Sequence, residues 1–543
     1  MLRVDGGRTL VGGSPPRVLH LARAAYDRLA GPDGVAAEAR LVVTDATSAA
    51  LARLLTDAGV AHPQPAHPGA PDAATVSVVV PVRDRPDELA RLLAALGGSG
   101  VAEVVVVDDG SADPDATVRV AATHGARIVR HAVSRGPAAA RNTGAGASTG
   151  ALVAFLDSDV VPEPGWLPTL LGHLADPAVG LAAPRIVAWS GVAGDAALLA
   201  SHAGLATSSD HDTPGDAPRS SPGPGVVSLA ATLTFSVRKA TRSIARGVVA
   251  RYEERRSSLD LGARPAPVTA RSRVAYVPSA ALVVRREALG AGFSEDMPVA
   301  EDVDLVWRIA GDGWRLRYEP AARVAHEHRD TVGPWLTRKA FYGTGAAPLA
   351  LRHPRRVPPV ALAPWTAAAV TLLGFQRRWS TAAAGAVTIV ATVRLAKGLH
   401  DARRPGNRAG GKTDVERQRG RQAETARELA RAARLAAVLA PWGLGGALWQ
   451  AAGVLTRHWW PAAVASALVS RRVRRALLAA AVAEGLADWW RFRPPGTGPG
   501  DAISHLVAHR LDDLAYGAGL WWGAWRHRTV APLRPDLSGK APQ

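Results

Sequence analysis

Two carboxylates follow a short apolar run in the first third of the chain. Residues 151–156 are too few for a helix and predict a strand that is buried on both faces, and Asp157 and Asp159 come directly after it. In an open α/β sheet, ligands bind just past the carboxyl ends of the strands. Two carboxylates there can coordinate one divalent cation, which would bridge to the phosphates of a nucleotide. An acidic pair after a strand is also an ordinary turn or capping feature, so the surrounding sequence has to decide.

Polar side chains also follow two earlier predicted strands. Arg83 comes after the β-branched run TVSVVVPV, and Asp108 and Asp109 come after the run AEVVVV. Helical stretches separate the runs, and one of them, rich in small residues after a Gly-Pro start, carries Arg141. Strands that alternate with helices predict an α/β fold with a parallel sheet. Neither a Gly-x-Gly-x-x-Gly turn after the first strand nor a Gly-Lys-Ser/Thr loop occurs, so we expect no dinucleotide or P-loop domain.

A further acidic pair lies near residue 300. Glu301 and Asp302 begin a predicted helix whose apolar side chains, Val303 and Trp307 among them, face inward. Carboxylates are favoured in a first helical turn by the helix dipole, so capping is the ordinary explanation. Asp304, two residues further along the helix, points elsewhere.

Two histidines follow the next predicted strand, in the string VAHEHR. A histidine at such a position is most often a surface or turn residue. Alternation along a strand places His326 and His328 on the same face. An imidazole that joins carboxylates in a metal site favours Mn²⁺ slightly over Mg²⁺.

Four of these features together resemble the family-2 inverting glycosyltransferases of the GT-A fold. They are a VSVVVP-type first strand at 76–81, an Asp-Asp-Gly-Ser turn at 108–111, an Ala-Arg-Asn helix at 140–142 and an Asp-x-Asp strand end at 157–159. The resemblance implies an α/β GT-A catalytic domain that uses a nucleotide-sugar donor with Mn²⁺ or Mg²⁺. It also implies a carboxylate base, because inverting transfer needs a group that takes the proton from the attacking hydroxyl.

The same resemblance implies a role for each candidate residue. The pair Glu301 and Asp302 supplies the catalytic base, which we assign to Asp302. Asp108 or Asp109 accepts a hydrogen bond from the uracil imide of the donor. The remaining nucleotide contacts are expected from Pro81, Arg83, Arg141 and Asp157, and the metal ligands are Asp157, Asp159 and His326, with His328 as the alternative histidine.

The composition limits the classes of protein. The chain has 543 residues, too many for one core, and predicts two or three domains. It has no Cys, which excludes disulfides and thiolate metal sites, and its first residues lack the apolar segment of a secretory signal. The net charge of +18 fits an anionic membrane or substrate. Because no aromatic-basic reader motif is present, we expect no nucleic-acid partner.

Two regions flank the catalytic domain, which we place at 75–350. Residues 1–70 predict a small α+β winged-helix-like domain that resembles the peptide-binding domains of ribosomal peptide modification systems, with an accessory packing domain as the alternative. Residues 355–535 alternate apolar runs with tryptophans and arginines and predict an α-helical membrane-associated region, with a soluble all-α domain as the alternative. The Pro- and Gly-rich stretch 208–225 predicts a loop near the donor.

The strings YVPSAALVVRRE, PVAEDVDLVWRIAGDGW and YEPAARVAHEHR look most like the glycosyltransferases of mycofactocin systems. That resemblance implies transfer of glucose from UDP-glucose to a small peptide-derived redox cofactor, building a short β-linked oligosaccharide. The enzyme would lie at the cell membrane with its catalytic domain on the cytoplasmic side. The Gln-x-x-Arg-Trp motif of processive synthases is absent after this region. Two alternatives stay open, a transferase acting on polyprenyl phosphate or cell-wall glycan and a non-catalytic peptide-binding membrane scaffold.

Overall fold

The structure is a computed structural model of the chain. It describes residues 2–4, 9–14, 17–30, 40–64, 69–189, 246–328, 331–401 and 415–538. The chain divides into two compact units, Met1–Trp335 and Leu336–Gln543. The domain boundaries expected from the sequence, near residues 70 and 350, stay predictions. The stretch 208–225, predicted as a loop near the donor, lies outside the described residues.

The N-terminal part of the first unit is a small α+β fold, as expected. Strand β1 (Leu2–Val4) pairs with β2 (Thr9–Gly12), and β2 pairs with β3 (Arg17–His20), all antiparallel. Helices α1 (Arg23–Ala30) and α2 (Ala46–Asp57) follow. Leucines of β2 and α2 are buried together, which gives this part its own small core.

Polar contacts fix this small fold to the rest of the first unit. Asp57 at the end of α2 accepts two hydrogen bonds of 2.9 Å from Arg315. Ser14 Oγ accepts a third, of 2.8 Å, from the main-chain N–H of Arg273. A bidentate arginine–carboxylate pair fixes orientation as well as distance, so the two parts form one compact unit.

Nine strands described in the first unit form one mixed sheet. In chain order they are β4 (Val76–Val82), β5 (Glu103–Asp109), β6 (Arg127–His131), β7 (Leu152–Leu156), β8 (Val160–Pro162), β9 (Val179–Ala188), β10 (Ala266–Pro267), β11 (Ala281–Arg285) and β12 (Arg315–His326). Across the sheet the order is β10-β12-β9-β11-β7-β4-β5-β6, and β8 pairs with β12. Strands β7, β4, β5 and β6 are parallel, as the alternating pattern predicted, whereas β11 runs antiparallel to β7 and β9.

Helices cover the sheet and bury its apolar runs. In chain order they are α3 (Pro86–Leu96), α4 (Pro114–Thr123), α5 (Pro137–Ala147), α6 (Trp166–His173), α7 (246–256), α8 (Arg286–Leu289) and α9 (Glu301–Gly311). Val80, Phe155 and Leu282, on three of the strands, are fully buried. Strands buried on both faces explain why these runs are apolar throughout rather than alternating.

Small residues let α5 approach the sheet closely. A Cβ at Gly144 would overlap the side chain of Val79 on β4. The stretch PAAARNTGAGA is therefore a close-packed helix that brings Arg141 over the carboxyl ends of the strands.

One predicted strand is not formed. The β-branched and aromatic run VAYV at 274–277, which precedes a Pro-Ser turn and β11, predicts a strand, but it forms no strand in the structure. Val274 and Val277 are fully buried, so the run is apolar for packing. Its carbonyl groups are bonded elsewhere, because Ala275 accepts a 2.7 Å hydrogen bond from the indole N–H of Trp307 on α9. The sequence pattern was wrong here because burial alone does not distinguish a strand from an extended loop.

The described residues of the second unit are mostly helical, as predicted. The helices are α10 (Val332–Thr344), which begins in the first unit, then α11 (Ala346–Arg352), α12 (Pro364–Gly374), α13 (Arg378–Asp401), α14 (Val415–Gly453), α15 (Trp460–Val469), α16 (Arg471–Phe492) and α17 (Pro499–Arg526). A π-helical turn, Val454–His458, joins α14 to α15.

Two of these helical segments, Arg378–Asp401 and Leu429–His458, are long and apolar enough to cross a membrane by length and composition. The apolar run at 358–375, PPVALAPWTAAAVTLLGF, predicts a membrane hairpin together with the apolar run that follows it, but only the 11 residues of α12 are helical in it. At 1.5 Å per residue this helix is about 17 Å long, well short of a hydrocarbon core of about 30 Å.

Candidate active site

The polar clusters after the parallel strands lie at one edge of the sheet. Strands β7, β4 and β5 are adjacent and parallel, so the segments that follow them leave the sheet on the same side. Pro81 is part of β4. The Arg83 side chain, just beyond, is 57% exposed and lies 3.5 Å from the carboxylate of its neighbour Asp84. Arg83 is therefore an exposed cation at the site edge, without a contact to the other predicted residues among the bonds described.

Asp109, at the end of β5, is held by several donors. His131 Nδ1 and Ser134 Oγ each lie 2.7 Å from its carboxylate. The main-chain N–H groups of Arg135 and Gly136 donate to it at 2.8 and 2.9 Å. Burial acts to raise the pKa of Asp109, but these hydrogen bonds outweigh it and the pKa is lowered. Both oxygens are thus used in holding the loop before α5 against the sheet.

Asp108 has an acceptor oxygen to spare. It is fully buried, and its Oδ1 accepts a 2.9 Å hydrogen bond from the main-chain N–H of Ser111. Its Oδ2 has no hydrogen-bond partner among the described residues, and Arg130 Nε lies 3.8 Å away. Of the two aspartates expected at the uracil imide, Asp108 is the one with free acceptor capacity.

A buried arginine connects two acidic clusters. The side chain of Arg141 on α5 is 4% exposed and donates to Asp157 at 2.6 Å and to Glu301 at 3.1 Å. Its guanidinium carbon lies 5.3 Å from the ring centre of Phe293. Asp157 follows β7 and Glu301 begins α9, so Arg141 unites groups that the sequence presents separately. A buried cation with two carboxylate partners satisfies the requirement that buried charges be paired.

The residue before the second acidic pair has an unusual backbone. Ala300, at the start of α9, has φ 65° and ψ 19°, in the left-handed region that non-glycine residues rarely adopt. The side chain of Ala300, the N-cap residue, makes no hydrogen bond to the first turn of α9, which carries Glu301, Asp302 and Asp304. Asp304 is turned away and accepts a 2.9 Å hydrogen bond from Arg308, as the helical spacing predicted. Strain of this kind persists where the surrounding structure fixes a functional segment.

Asp302 has other hydrogen-bond partners than Glu301, and its pKa is raised. Its carboxylate accepts hydrogen bonds from the main-chain N–H groups of Ser279 at 3.3 Å and Val303 at 2.8 Å. Burial and the negative charge of Glu301 raise the pKa of Asp302 to about 7, although these two N–H groups and Arg141 act in the opposite direction. A carboxylate with a pKa near neutrality is suited to accept a proton at physiological pH.

Asp159 and His326 meet across neighbouring strands. His326 Nε2 lies 3.5 Å from Asp159 Oδ1, and His326 pairs with Val160 of β8, the residue after Asp159. Arg85 forms an ion pair with the other oxygen of Asp159. Burial acts to raise the pKa of Asp159, but His326 and Arg85 outweigh it and the pKa is lowered. The carboxylate is therefore ionised and faces an imidazole.

These two side chains fit a divalent cation. Nδ1 of His326 is buried without a hydrogen-bond partner in the part of the chain that the structure describes, and the His328 ring lies 5.3 Å from the His326 ring. A carboxylate facing an imidazole is a donor set that Mn²⁺ accepts, as does Mg²⁺ with weaker preference for nitrogen. Asp157 points to Arg141 instead, and within the described residues it does not converge with Asp159 and His326 on one point.

Arg85 is not among the residues that the sequence pattern singles out. Of the two arginines after β4, the pattern favours Arg83, which stands nearer the strand end. Asp84 between them has φ 55°, a left-handed turn that redirects the chain. The second arginine rather than the first therefore reaches Asp159. Only the presence of two closely spaced arginines at a strand end could have indicated that Arg85 belongs to the site.

A second buried polar group lies in the helical unit. Ligand atoms of Glu484, His509 and Asp513 are within 4.8 Å of one another. Arg510 lies 3.2 Å from Glu484 and 3.0 Å from Asp513, and Arg457 lies 3.0 Å from Asp513. Each carboxylate of this group already has an arginine as its counter-ion. The group is therefore a charge network, and a metal ion there would face two guanidinium groups.

The chain is similar in sequence to known glycosyltransferases. The sequence description of Glycosyl transferase family 2 matches residues 77–208. Pre-mycofactocin glycosyltransferase from Mycobacterium tuberculosis (strain ATCC 25618 / H37Rv) is 40% identical over 545 residues, which cover 99% of this chain and 96% of that protein. Succinoglycan biosynthesis protein ExoU from Rhizobium meliloti (strain 1021) is 41% identical over 102 residues, 18% of this chain and 30% of that protein.

Among solved structures, the mannosyltransferase PcManGT from Pyrobaculum calidifontis, in complex with GDP-Man and Mn²⁺, is 20% identical. It covers 69% of this chain and 89% of its own, with a TM-score of 0.32.

Proposed function

Because the chain belongs to the pre-mycofactocin glycosyltransferases of glycosyltransferase family 2, we propose that it transfers glucose from UDP-glucose to a peptide-derived redox cofactor. The chain is a hexosyltransferase with an α/β catalytic domain of the GT-A fold. Four parts of this account go beyond membership of the family and are proposals: glucose as the sugar, uracil as the base, the acceptor and the metal. We expect the product to be a short β-linked oligosaccharide on the acceptor.

The observation that carries the proposal is the arrangement of Arg141, Glu301 and Asp302. Arg141 binds Glu301 and leaves Asp302, whose pKa is raised to about 7, to act as the base. Asp302 takes the proton of the acceptor hydroxyl as its oxygen forms a bond to the anomeric carbon of glucose. The bond from that carbon to the diphosphate breaks, and its electron pair leaves with UDP. Attack and departure occur on opposite faces, so the anomeric configuration inverts.

Arg141 positions this base relative to the donor. It is buried and bonded to Asp157 at the end of β7, where the donor is expected, and to Glu301 beside the base. Because both bonds are charge-assisted, the start of α9 is fixed with respect to the strand end. Such preorganisation lowers the barrier of a two-substrate reaction.

The nucleotide would lie over the carboxyl ends of β4 and β5. Asp108 supports this placement because its Oδ2 has no hydrogen-bond partner within the described chain. The uracil imide would supply a donor for it once the side chain, which is fully buried in this conformation, becomes accessible. Asp109 would act on the nucleotide indirectly, since its hydrogen bonds hold the loop before α5. Pro81 and Arg83 would line the edge of this site.

Mn²⁺ or Mg²⁺ would be held by Asp159 and His326, with Asp157 beside them. The bound ion would supply positive charge at the departing diphosphate. The protein also places positive charge where the diphosphate is expected, because Arg85 pairs with Asp159 and Arg141 pairs with Asp157. Both guanidinium groups can donate to phosphate oxygens.

We propose further that the second unit attaches the enzyme to the cell membrane, with the catalytic domain on the cytoplasmic side. Two helical segments have suitable length and composition. Large aromatic side chains of the unit are also exposed, with Trp442 at 78% and Trp525 at 70%. Tryptophan is enriched where proteins meet the membrane–water interface.

Release of UDP from UDP-glucose by the detergent-purified chain tests the proposal. A mycofactocin precursor and a polyprenyl phosphate are offered in separate reactions, each with Mn²⁺, Mg²⁺ or chelator. We expect metal-dependent release with the precursor alone. Release with the polyprenyl phosphate alone would replace the acceptor by a lipid, and no release with either would favour a non-catalytic peptide-binding scaffold.

A further inference from the structure

Three helices of the second unit leave an open apolar groove. It lies between α12, α13 and α14, and its cavity volume is about 610 Å³. Leu373 of α12 and Ile389 and Val393 of α13 form one wall, and Pro441 and Leu444 of α14 form the other. Within the second unit, the groove is distinct from the charge network around Glu484.

The side chains that line the groove have almost no free hydrogen-bonding groups for a ligand. Three of its side chains are threonines, but each hydroxyl donates to a main-chain carbonyl of its own helix region. Thr381 is bonded to Arg378, Thr388 to Ala384 and Thr392 to Thr388, all at 2.8 Å. Threonines bonded in this way keep their hydroxyl groups for the backbone. The walls therefore suit a hydrocarbon.

The described residues also leave these walls uncovered. Ile389 is 66% exposed and Val393 is 63% exposed, although burial of such apolar side chains is favourable. A contiguous apolar surface left open in this way marks a binding surface. Residues 381–393 of α13 line the groove over about 18 Å. A long, open and apolar groove of this kind suits an extended acyl chain, and a helix from a second copy of the protein is the other occupant that the experiment distinguishes.

One end of the groove is strongly basic. Arg377 and Arg378 lie at the turn between α12 and α13, next to the exposed rings of Phe375 and Trp379. The Gln376 side chain donates a 2.8 Å hydrogen bond to the main-chain carbonyl of Arg472. That bond brings the start of α16 to this turn, and with it the remaining arginines of the cluster, Arg471, Arg474 and Arg475.

Among the described residues, no acidic side chain forms an ion pair with the arginines of this basic end. The sequence has no Asp or Glu between residues 364 and 400, nor between residues 454 and 483. Two helix N-termini, those of α13 and α16, add their positive dipole ends at the same place. Arginines and helix N-termini together attract phosphate groups. The aromatic rings beside them are typical of residues at the level of lipid headgroups.

We propose that this groove is a binding site for an anionic phospholipid of the membrane. One acyl chain lies along Ile389 and Val393, and the phosphate of the headgroup lies among the arginines at the turn. This inference rests on the proposed membrane attachment of the second unit and adds to it a defined lipid class and position. The charge of the cluster selects anionic over zwitterionic lipids.

Photocrosslinking of the full-length, detergent-purified chain tests the site. The probes are phosphatidylglycerol and phosphatidylcholine that carry a diazirine on one acyl chain, and peptide mass spectrometry locates the adducts. We expect phosphatidylglycerol to label 373–393 and 437–444 several-fold more than phosphatidylcholine does. Labelling spread evenly over the exposed helices, or equal for the two lipids, would overturn the proposal.

Variants with matched controls sharpen this test. Gly385 lines the groove and has open space around a Cβ, so a side chain can be introduced there, and Gly385→Phe places an aromatic ring in the groove. Gly398, on the same helix, also has open space but does not line the groove, so Gly398→Phe is the control. We expect Gly385→Phe to lower labelling at least fivefold and Gly398→Phe to leave it unchanged. If Gly385→Phe changed the oligomeric state in detergent instead of the labelling, the groove would be an interface between copies and the proposal would be wrong.

The basic end is tested separately. Arg377→Gln with Arg378→Gln should remove the preference for phosphatidylglycerol, and the exposed pair Arg431→Gln with Arg434→Gln should not. Release of UDP in the same preparations distinguishes this site from the proposed function. In the unsubstituted protein, absence of labelling at the groove with normal UDP release contradicts only the lipid site, whereas labelling at the groove without UDP release contradicts only the proposed reaction.

Discussion

Glu301 and Asp302 are adjacent in sequence but differ in their partners. The Glu301 carboxylate accepts a 3.1 Å hydrogen bond from Arg141, whereas Asp302 accepts hydrogen bonds from the main-chain N–H groups of Ser279 and Val303. Glu301 thus shares a counter-ion with Asp157, while its own charge helps to raise the pKa of Asp302. This division of partners is why we assign the base to the second carboxylate of the pair.

Replacement of the base should abolish transfer without unfolding the chain. Asp302→Asn keeps the shape of the side chain but cannot take a proton, and loss of a general base typically costs about 10²- to 10⁴-fold in rate. We expect kcat to fall by that factor with little change in the KM for UDP-glucose. Asp312→Asn, at the exposed end of the same helix, is the control and should retain full activity. Normal kcat in a folded Asp302→Asn protein would show that another group is the base.

The rate should rise with pH through neutrality. Asp302 must be ionised to act, and with a pKa of about 7 its ionised fraction is about a tenth at pH 6 and about nine tenths at pH 8. We expect kcat to increase about tenfold per pH unit below pH 6, about fivefold between pH 6 and pH 7, and to level off above pH 8.

Glu301→Gln removes the like charge, so the pKa of Asp302 falls and the plateau should begin at lower pH. A profile that is flat between pH 5.5 and 8, or one that Glu301→Gln moves to higher pH, would contradict the assignment.

The large sheet and most of the site edge could be predicted from the sequence. Runs such as VSVVVPV are apolar because both of their faces are buried, and the polar residues just after them are placed by strand direction alone. What could not be predicted were contacts between distant elements. Arg141 meets Glu301 only because small residues in α5 let the helix lie close to the sheet.

Two left-handed backbone conformations also could not be predicted from the residue types. The left-handed residues Asp84 and Ala300 are neither glycine nor asparagine, yet they orient Arg85 and the start of α9. The apolar run at 274–277 reads as a strand because burial gives the same signal in an extended loop.

Removal of the buried arginine should destabilise the first unit as well as stop the reaction. Arg141→Met leaves Asp157 and Glu301 without their shared counter-ion, and breaking a buried pair in this way costs about 3 kcal/mol. We expect a lower thermal transition and loss of UDP release. The exposed Arg83→Met serves as the control and should not change the transition temperature. An Arg141→Met protein as stable as the parent would mean that the two ion pairs contribute nothing to the fold.

The two aspartates after β5 should behave differently. Asp109→Asn places an amide against the N–H donors of Arg135 and Gly136, which costs about 1–3 kcal/mol, so the transition temperature should fall. Asp108→Asn removes an acceptor that we place at the uracil imide, so the KM for UDP-glucose should rise about tenfold with a smaller change in stability. Thermal unfolding measures the transition temperature, and titration with UDP-glucose measures the KM. If Asp108→Asn lowered the transition temperature and Asp109→Asn raised the KM, Asp109 would bind the uracil and Asp108 would hold the loop.

The metal requirement should depend on Asp159 and His326. Asp159→Asn and His326→Ala should each raise the Mn²⁺ concentration for half-maximal UDP release at least tenfold, because each removes one proposed ligand. Glu484→Gln, in the charge network of the helical unit, should leave that concentration unchanged. If Glu484→Gln raised the Mn²⁺ concentration for half-maximal UDP release and Asp159→Asn did not, the metal would be bound in the helical unit instead.

The stereochemistry of the product tests the central claim most directly. Proton NMR of the glucosylated acceptor, made from UDP-glucose by the full-length chain, reports the configuration at the new anomeric carbon. Single in-line displacement with Asp302 as the base predicts a β-linked glucose from the α-linked donor, and no such product from the Asp302→Asn protein. An α-linked product would contradict inversion, and with it the role that we give to Asp302.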